Sequence, residues 1–241
     1  MGVDLGIASA PDETTILRFC HMLKRHELCG LMLEAVNVHL EAMGIRIQTG
    51  TIVSATGIRI QTGTIVGATI LHAPCSTRNA GGLRDPEMHQ TRKGNQWYFG
   101  LKTHIGVVVK EGHVHSVATS AANVADMHML PGLLHGEERK VRGDGGYQGQ
   151  TEAIRGAAPH AQDMTCKRTK FKAGVDELQK KKNKNKSSVR AEVEPIFRIV
   201  KRIFGFDKVR YRGIAKNHHR LCANFALANL YLHRKRLAVL K

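Results

Sequence analysis

Acidic residues are scarce and unevenly spread. Asp and Glu total 20 against 37 Lys and Arg in 241 residues, a formal net charge of +17, and none stands between Glu41 and Asp85. That imbalance points to a polyanionic partner, nucleic acid ahead of a membrane surface. No stretch approaches eighteen consecutive apolar residues and no charged-then-apolar leader opens the chain, which weighs against a membrane protein. Aromatics are only 5% of the residues, few for reading single-stranded or RNA bases by stacking. The five cysteines, Cys20, Cys29, Cys75, Cys166 and Cys222, contain no C-x-x-C pair, so neither a disulfide framework nor a zinc ribbon is indicated. The histidine pairs His113-x-His115 and His218-His219 have no partner Cys at ligand spacing and read as surface or phosphate-side residues.

What is present suffices for a folded core: 42% of the residues are hydrophobic, enough for one domain or one domain with an appendage. Pro11 to Thr15 reads as a helix start followed by Ile16, Leu17, Cys20 and Leu23 at helical spacing. A second helix over 28–42 would carry Leu31, Ala35, Val38 and Ala42 on one side. A tandem repeat follows, GIRIQTGTIVSAT (44–56) then GIRIQTGTIVGAT (57–69), the copies differing only at Ser54 and Gly67. Two copies do not make a solenoid, and each ends in a β-branched run suited to a strand.

Residues 74–94 read as a polar loop in which Thr77-Arg78-Asn79 and Arg92-Lys93-Gly94 would meet phosphate or simply be solvated. Gln96 to Val109 and Gly112 to Thr119 form a predicted hairpin, with Lys102 and His104 on one face of its first strand. A helix is expected over 123–135, interrupted near Pro131, then a short strand at 140–143, a helix at 151–157 and a strand at 163–166. The polar run 179–188 reads as a mobile solvated loop. Lys208, Arg210 and Arg212 alternate in a basic extended stretch ahead of an amphipathic helix at 217–232.

The most informative stretch is SSVRAEVEPIFRIVKRIFG, 187–205. At 100° per residue Arg190, Glu194 and Lys201 share one helical stripe, while Ile196, Ile199, Val200 and Ile203 face elsewhere. A carboxylate between cations can hold a divalent ion beside a phosphate backbone, although a solvated surface pair has the same spacing. Pro195 biases the helix to begin or kink at Glu194.

With DPEMHQTRKGNQWYFGLKTHIGV (85–107), GDGGYQG (143–149) and FGFDKVRYRGIAKN (204–217), this stretch resembles DDE transposases of bacterial insertion sequences, the four and five group in particular, over residues 11 to 236. The resemblance implies a ribonuclease-H-like α/β fold, a mixed sheet flanked by helices, and two-metal DNA cleavage and strand transfer with Mg²⁺, for which Mn²⁺ can substitute. It implies Asp144 and Glu194 as metal-binding carboxylates, and Arg190, Lys201, Lys102, Arg92, Lys93, Arg210 and Arg212 as phosphate or DNA contacts. The family's first strand reads like TIVDAT, so its first catalytic Asp falls on Gly67 here, and on Ser54 in the other copy. Asp85 and Asp126 are the remaining candidates for the missing carboxylate.

The implied organisation is a remnant of an N-terminal helical region (1–43), shortened relative to the family; a duplicated linker and strand segment (44–63); and a catalytic domain (64–236). Double-stranded DNA, as terminal repeats and target, is the expected partner of a homo-oligomer without membrane association, in the bacterial cytoplasm near the nucleoid. The vacancy at Gly67 leads to the expectation of impaired activity. Two other classes stay open: a catalytically dead DNA-bound competitor of an intact transposase, and a nucleic-acid binder unrelated to transposition.

Overall fold

The computed structural model describes residues 12–45, 63–75, 81, 83–109, 111–171 and 174–239. The first repeat copy and the start of the second lie outside these residues, as do Thr77, Arg78 and Asn79. The chain opens with α1 (Glu13–Arg25), capped by Asp12, whose carboxylate accepts the Thr15 amide at 2.7 Å. Next comes α2 (Leu28–Ala42). It buries Cys29, Leu33, Asn37 and Leu40, while Leu31 and Val38 are exposed, so the buried stripe is not the one expected.

A mixed sheet of six strands follows: β1 (Gly63–His72), β2 (His89–Lys93), β3 (Gln96–Val108), β4 (Val114–Ala121), β5 (Lys140–Arg142) and β6 (Gln162–Asp163). The order is β2-β3-β1-β5-β6, with β4 also paired to β3. β1 is antiparallel to β3 and parallel to β5, and β5 is parallel to β6. With α3 (Thr151–Ala157), α4 (Glu177–Arg190), α5 (Glu194–Arg198) and α6 (Ile214–Val239), this is an α/β domain with the strand order of a ribonuclease-H-like fold. A small ribbon, β7 (Lys170–Phe171) and β8 (Gly174–Val175), precedes α4.

Both sheet faces are covered, so the inner strands read as near-continuous apolar runs. On one face Ile65, Leu71, Leu101, Ile105 and Val107 pack with Val193, Ile196 and Ile199 around α5, and with Leu221 and Phe225 of α6. On the other, Val66 and Val141 pack with Leu130, Leu133, Tyr147 and Ile154. α2 and α6 are tied to β4 by a buried amide cluster: Asn229 Nδ2 donates to Asn37 Oδ1 and the Val114 carbonyl, both at 2.8 Å, and its Oδ1 accepts the Val114 amide at 2.9 Å. α6 is capped from a distance, as Asp85 Oδ2 accepts the Gly213 amide at 2.7 Å and Glu87 Oε2 the Ile214 amide at 2.8 Å.

Three expectations are corrected. The expected loop over 179–188 is the body of α4, capped by Asp176 accepting the Gln179 amide at 2.8 Å. Gln and Lys are good helix formers, and Asn183 and Lys186 fasten the helix to the Lys167 and Thr165 carbonyls at 2.6 and 2.8 Å. The expected helix over 123–135 is two 3₁₀ turns, Asp126–Met129 and Pro131–Leu133, because Pro131 lacks an amide donor. Within 74–94, His89–Lys93 is a strand that turns into β3 through Gly94 at φ +61° and Asn95.

His104, His113 and His115 are sequestered, and burial pushes their pKa values down to about 4, 3 and 3. The unfolded chain therefore binds more protons than the folded one from the ordinary value of about 6.5 downward, each site adding up to about 1.4 kcal/mol per pH unit. Stability should be full above pH 7 and fall as pH drops from about 6.5 toward 4. Urea midpoints equal at pH 7.5 and pH 5 would contradict this.

Candidate active site

Parallel pairing sets the site. Thr64 lies opposite Val141 and Ile65 opposite Arg142; continued two residues, this register brings Gly67 abreast of Asp144. Asp144 has just left β5, and its carboxylate accepts the Gly146 amide at 2.9 Å and caps the turn Gly145–Tyr147. The C-terminal ends of parallel strands are where ligands collect in open α/β sheets.

A composite helical run crosses above them. α4 ends at Arg190, a 3₁₀ turn spans Ala191–Val193, and α5 starts at Glu194 with Pro195 in its first turn, as the missing amide requires. A π turn, Ile199–Ile203, follows, closed by Phe204 N–H donating to the Ile199 carbonyl at 2.9 Å. Such turns are frequent at functional sites. Here it carries Lys201, whose Nζ donates to the Ile70 carbonyl at 2.7 Å, stitching the helix to β1. Burial lowers the Lys201 pKa and nearby Lys93 adds to the effect.

Gly67, Asp144, Glu194, Lys201 and Lys93 line one cleft of about 490 Å³. Arg198 and Arg202, not singled out in the sequence, line it too. They stand four and eight residues after Glu194, a spacing that could have flagged them. Of the expected stripe Arg190, Glu194 and Lys201, the last two line the cleft, on a run that is not one regular helix but passes through α, 3₁₀ and π turns. The Arg190 side chain lies outside the described set.

Four other expected DNA contacts do not line this cleft. Lys102 points to the opposite sheet face, where its ammonium donates to Asp126 at 2.9 Å and the Val124 carbonyl at 2.8 Å. Arg92 bonds the Gly94 carbonyl and Asn95 at its own hairpin turn. Arg210 bonds the Gly205 carbonyl at 3.1 Å, and Arg212 is exposed. His104, expected beside Lys102, is buried against Ser120 at 2.8 Å.

At Gly67 a Cβ would lie 2.8 Å from Val193 Cγ1 and 3.6 Å from Phe197. A side chain at the position expected to hold the first carboxylate would therefore press on the buried Val193. Neither alternative acid lines the cleft: Asp85 caps α6, and Asp126, although it flanks Gly146 together with Asp144, is paired with Lys102. Asp144 and Glu194 are the two carboxylates that line the cleft, and position 67 adds no third.

His115, His135 and Glu138 form a separate group whose donor atoms lie within 4.8 Å of one another, close enough to hold a metal ion. Glu138 is fully buried and accepts from the His135 and Gly136 amides at 2.8 and 2.9 Å and from Thr64 Oγ1 at 3.1 Å. The carboxylate thereby anchors the loop that leads into β5.

The Lys102–Asp126 pair braces the segment beside Asp144. Asp126→Asn or Lys102→Met alone should lower stability by about 1–3 kcal/mol, and the double change should cost less than the sum of the two. Strictly additive losses in urea denaturation would show that the pair is not coupled.

No solved structure matches the chain significantly. A family model described as "Transposase DDE domain" matches residues 47–230, from the repeat through most of α6, and so covers Gly67, Asp144 and Glu194. The chain belongs to the DDE transposase family, whose members are DNA-cleaving transposases.

Proposed function

We propose that this chain is an insertion-sequence transposase of the four and five group in which strand cleavage and transfer at the element's ends are impaired. The observation that carries the reading is that position 67, the expected slot of the first carboxylate, is a glycine at which a Cβ would meet Val193 at 2.8 Å. Residues 64–236 would be the catalytic domain, 44–63 the duplicated linker and 1–43 a helical region that packs on α6 through Asn37 and Asn229. The protein would act as a homo-oligomer on duplex DNA.

In this reading Asp144 and Glu194 hold Mg²⁺, or Mn²⁺ in its place. When bound, such a cation activates water or a DNA 3′-hydroxyl and stabilises the leaving oxygen. Lys93, Arg198, Lys201 and Arg202 hold the phosphates, and Lys201 keeps the helix against β1 through Ile70. With two carboxylates against four cations the cleft keeps its attraction for DNA even where it cuts poorly. That balance also favours a second reading, a catalytically inactive DNA-bound remnant that competes with intact transposase.

Strand cleavage on DNA carrying the cognate ends separates these. Gly67→Asp combined with Val193→Ala should cut at least about 10²-fold faster than the native chain, since even about 1 Å of misplacement can cost that much. Adding Glu194→Gln should abolish the gain. If the native chain cuts as fast as the double variant, Gly67 is not the vacant slot. If neither cuts while both bind the ends, the competitor reading holds.

The same variants carry a stability prediction. Gly67→Asp alone should cost about 1–3 kcal/mol through overpacking against Val193, and Val193→Ala should recover part of it. Thermal melts showing no cost for Gly67→Asp would mean that Val193 yields freely.

A further inference from the structure

A second concavity lies away from the carboxylate cleft and shares no lining residue with it. α1 supplies His21, Lys24 and Arg25, and α6 supplies Lys216, His219 and Arg220. Both sets have i, i+3, i+4 spacing, so each occupies one face of its helix. The faces meet across a groove of about 350 Å³ whose lining contains neither Asp nor Glu. Its floor is firm, because Leu23, Cys29 and Ala223 are buried in one apolar cluster.

Bringing like charges together costs stability, and folded chains usually relieve the cost with acidic partners. Among the described residues Lys24, Arg25 and Lys216 are in no ion pair. Four residues of helix rise about 6 Å, comparable with the rise of two nucleotides along a duplex axis, about 3.4 Å each. Two such rows facing each other suit an extended polyanion better than a single small anion.

We propose that this groove docks the phosphate backbone of duplex DNA, as a contact distinct from the site of cleavage. The proposal rests on the transposase reading for its partner but not for its geometry. It would hold a DNA segment between the N-terminal helices and the start of α6 whether or not the cleft cuts.

The test measures binding of the full chain to a duplex carrying the element's ends, in EDTA, from 50 to 200 mM salt. The variant Lys24→Gln/Arg25→Gln/Lys216→Gln removes three groove charges; Lys181→Gln/Lys182→Gln/Lys184→Gln removes three from α4. The groove variant should bind about 10–100-fold more weakly at 100 mM salt, with a log–log salt slope smaller by about 2–3 units, at close to one unit per lost phosphate contact. The α4 variant should lose less than about threefold at that salt. Equal losses in the two variants, no loss in the groove variant, or tighter binding of the same sequence as duplex RNA would overturn the proposal. If the groove variant binds like the native chain while Gly67→Asp/Val193→Ala gains cleavage, the groove proposal alone fails. If the native chain binds no DNA, both readings fall.

Discussion

The short parallel pairing of β1 with β5 is the constraint on which the rest depends. It places Gly67 abreast of Asp144 at one edge of the sheet's inner face. Ile65 and Ile105 supply the apolar surface on which Val193, Ile196 and Ile199 settle. That burial, of the order of 1.5–3 kcal/mol per large side chain, holds the composite helix at a height where Glu194 and Lys201 look into the same cleft. A register slip of one residue would turn Asp144 to the other face and empty the site. The buried Glu138 anchor just before β5, with its two amide donors and Thr64, guards against that slip.

Within that frame the glycine at position 67, beside Val193, sets the character of the cleft. A carboxylate at position 67 would oppose the charges of Asp144 and Glu194 unless a cation lay between them. A glycine removes that repulsion and lets an apolar side chain approach to packing distance. On the proposed reading, a cleft without that carboxylate would organise metal-dependent chemistry less well, and it is more positive overall. Attraction for a phosphate backbone falls off slowly with distance, whereas cleavage depends on sub-ångström placement. Binding and cutting can therefore part company after a single side-chain change.

Much of the fold was legible in local patterns. The helix at 151–157, the strand starting at Gln96 and the bounds of α2 match their periodicities, and Pro195 announced the restart at Glu194. The misses share a cause. The body of α4, residues 179–188, has no apolar residue to reveal it, so its capping and its ties to Lys167 and Thr165 had to be seen in three dimensions. β2 is a five-residue, mostly exposed strand whose only local sign was Gly94-Asn95. The stripe Leu31, Ala35 and Val38 satisfied helical spacing as well as the buried one did, and only packing against α6 decides between them.

For the site, the sequence by itself determined which residue types were available: Asp144, Glu194, the nearby cations, and the lack of any acid between Glu41 and Asp85. Local spacing carries that information, because turns, caps and helix restarts are written within a few residues of the groups they position. Tertiary structure alone decided that Lys102 is committed to Asp126 on the opposite face and that Asp85 caps α6. It also decided that Val193 stands against Gly67, and that the basic faces of α1 and α6 meet across one groove. The physical reason is that partners separated by up to about two hundred residues are chosen by packing and strand register, which no local pattern records.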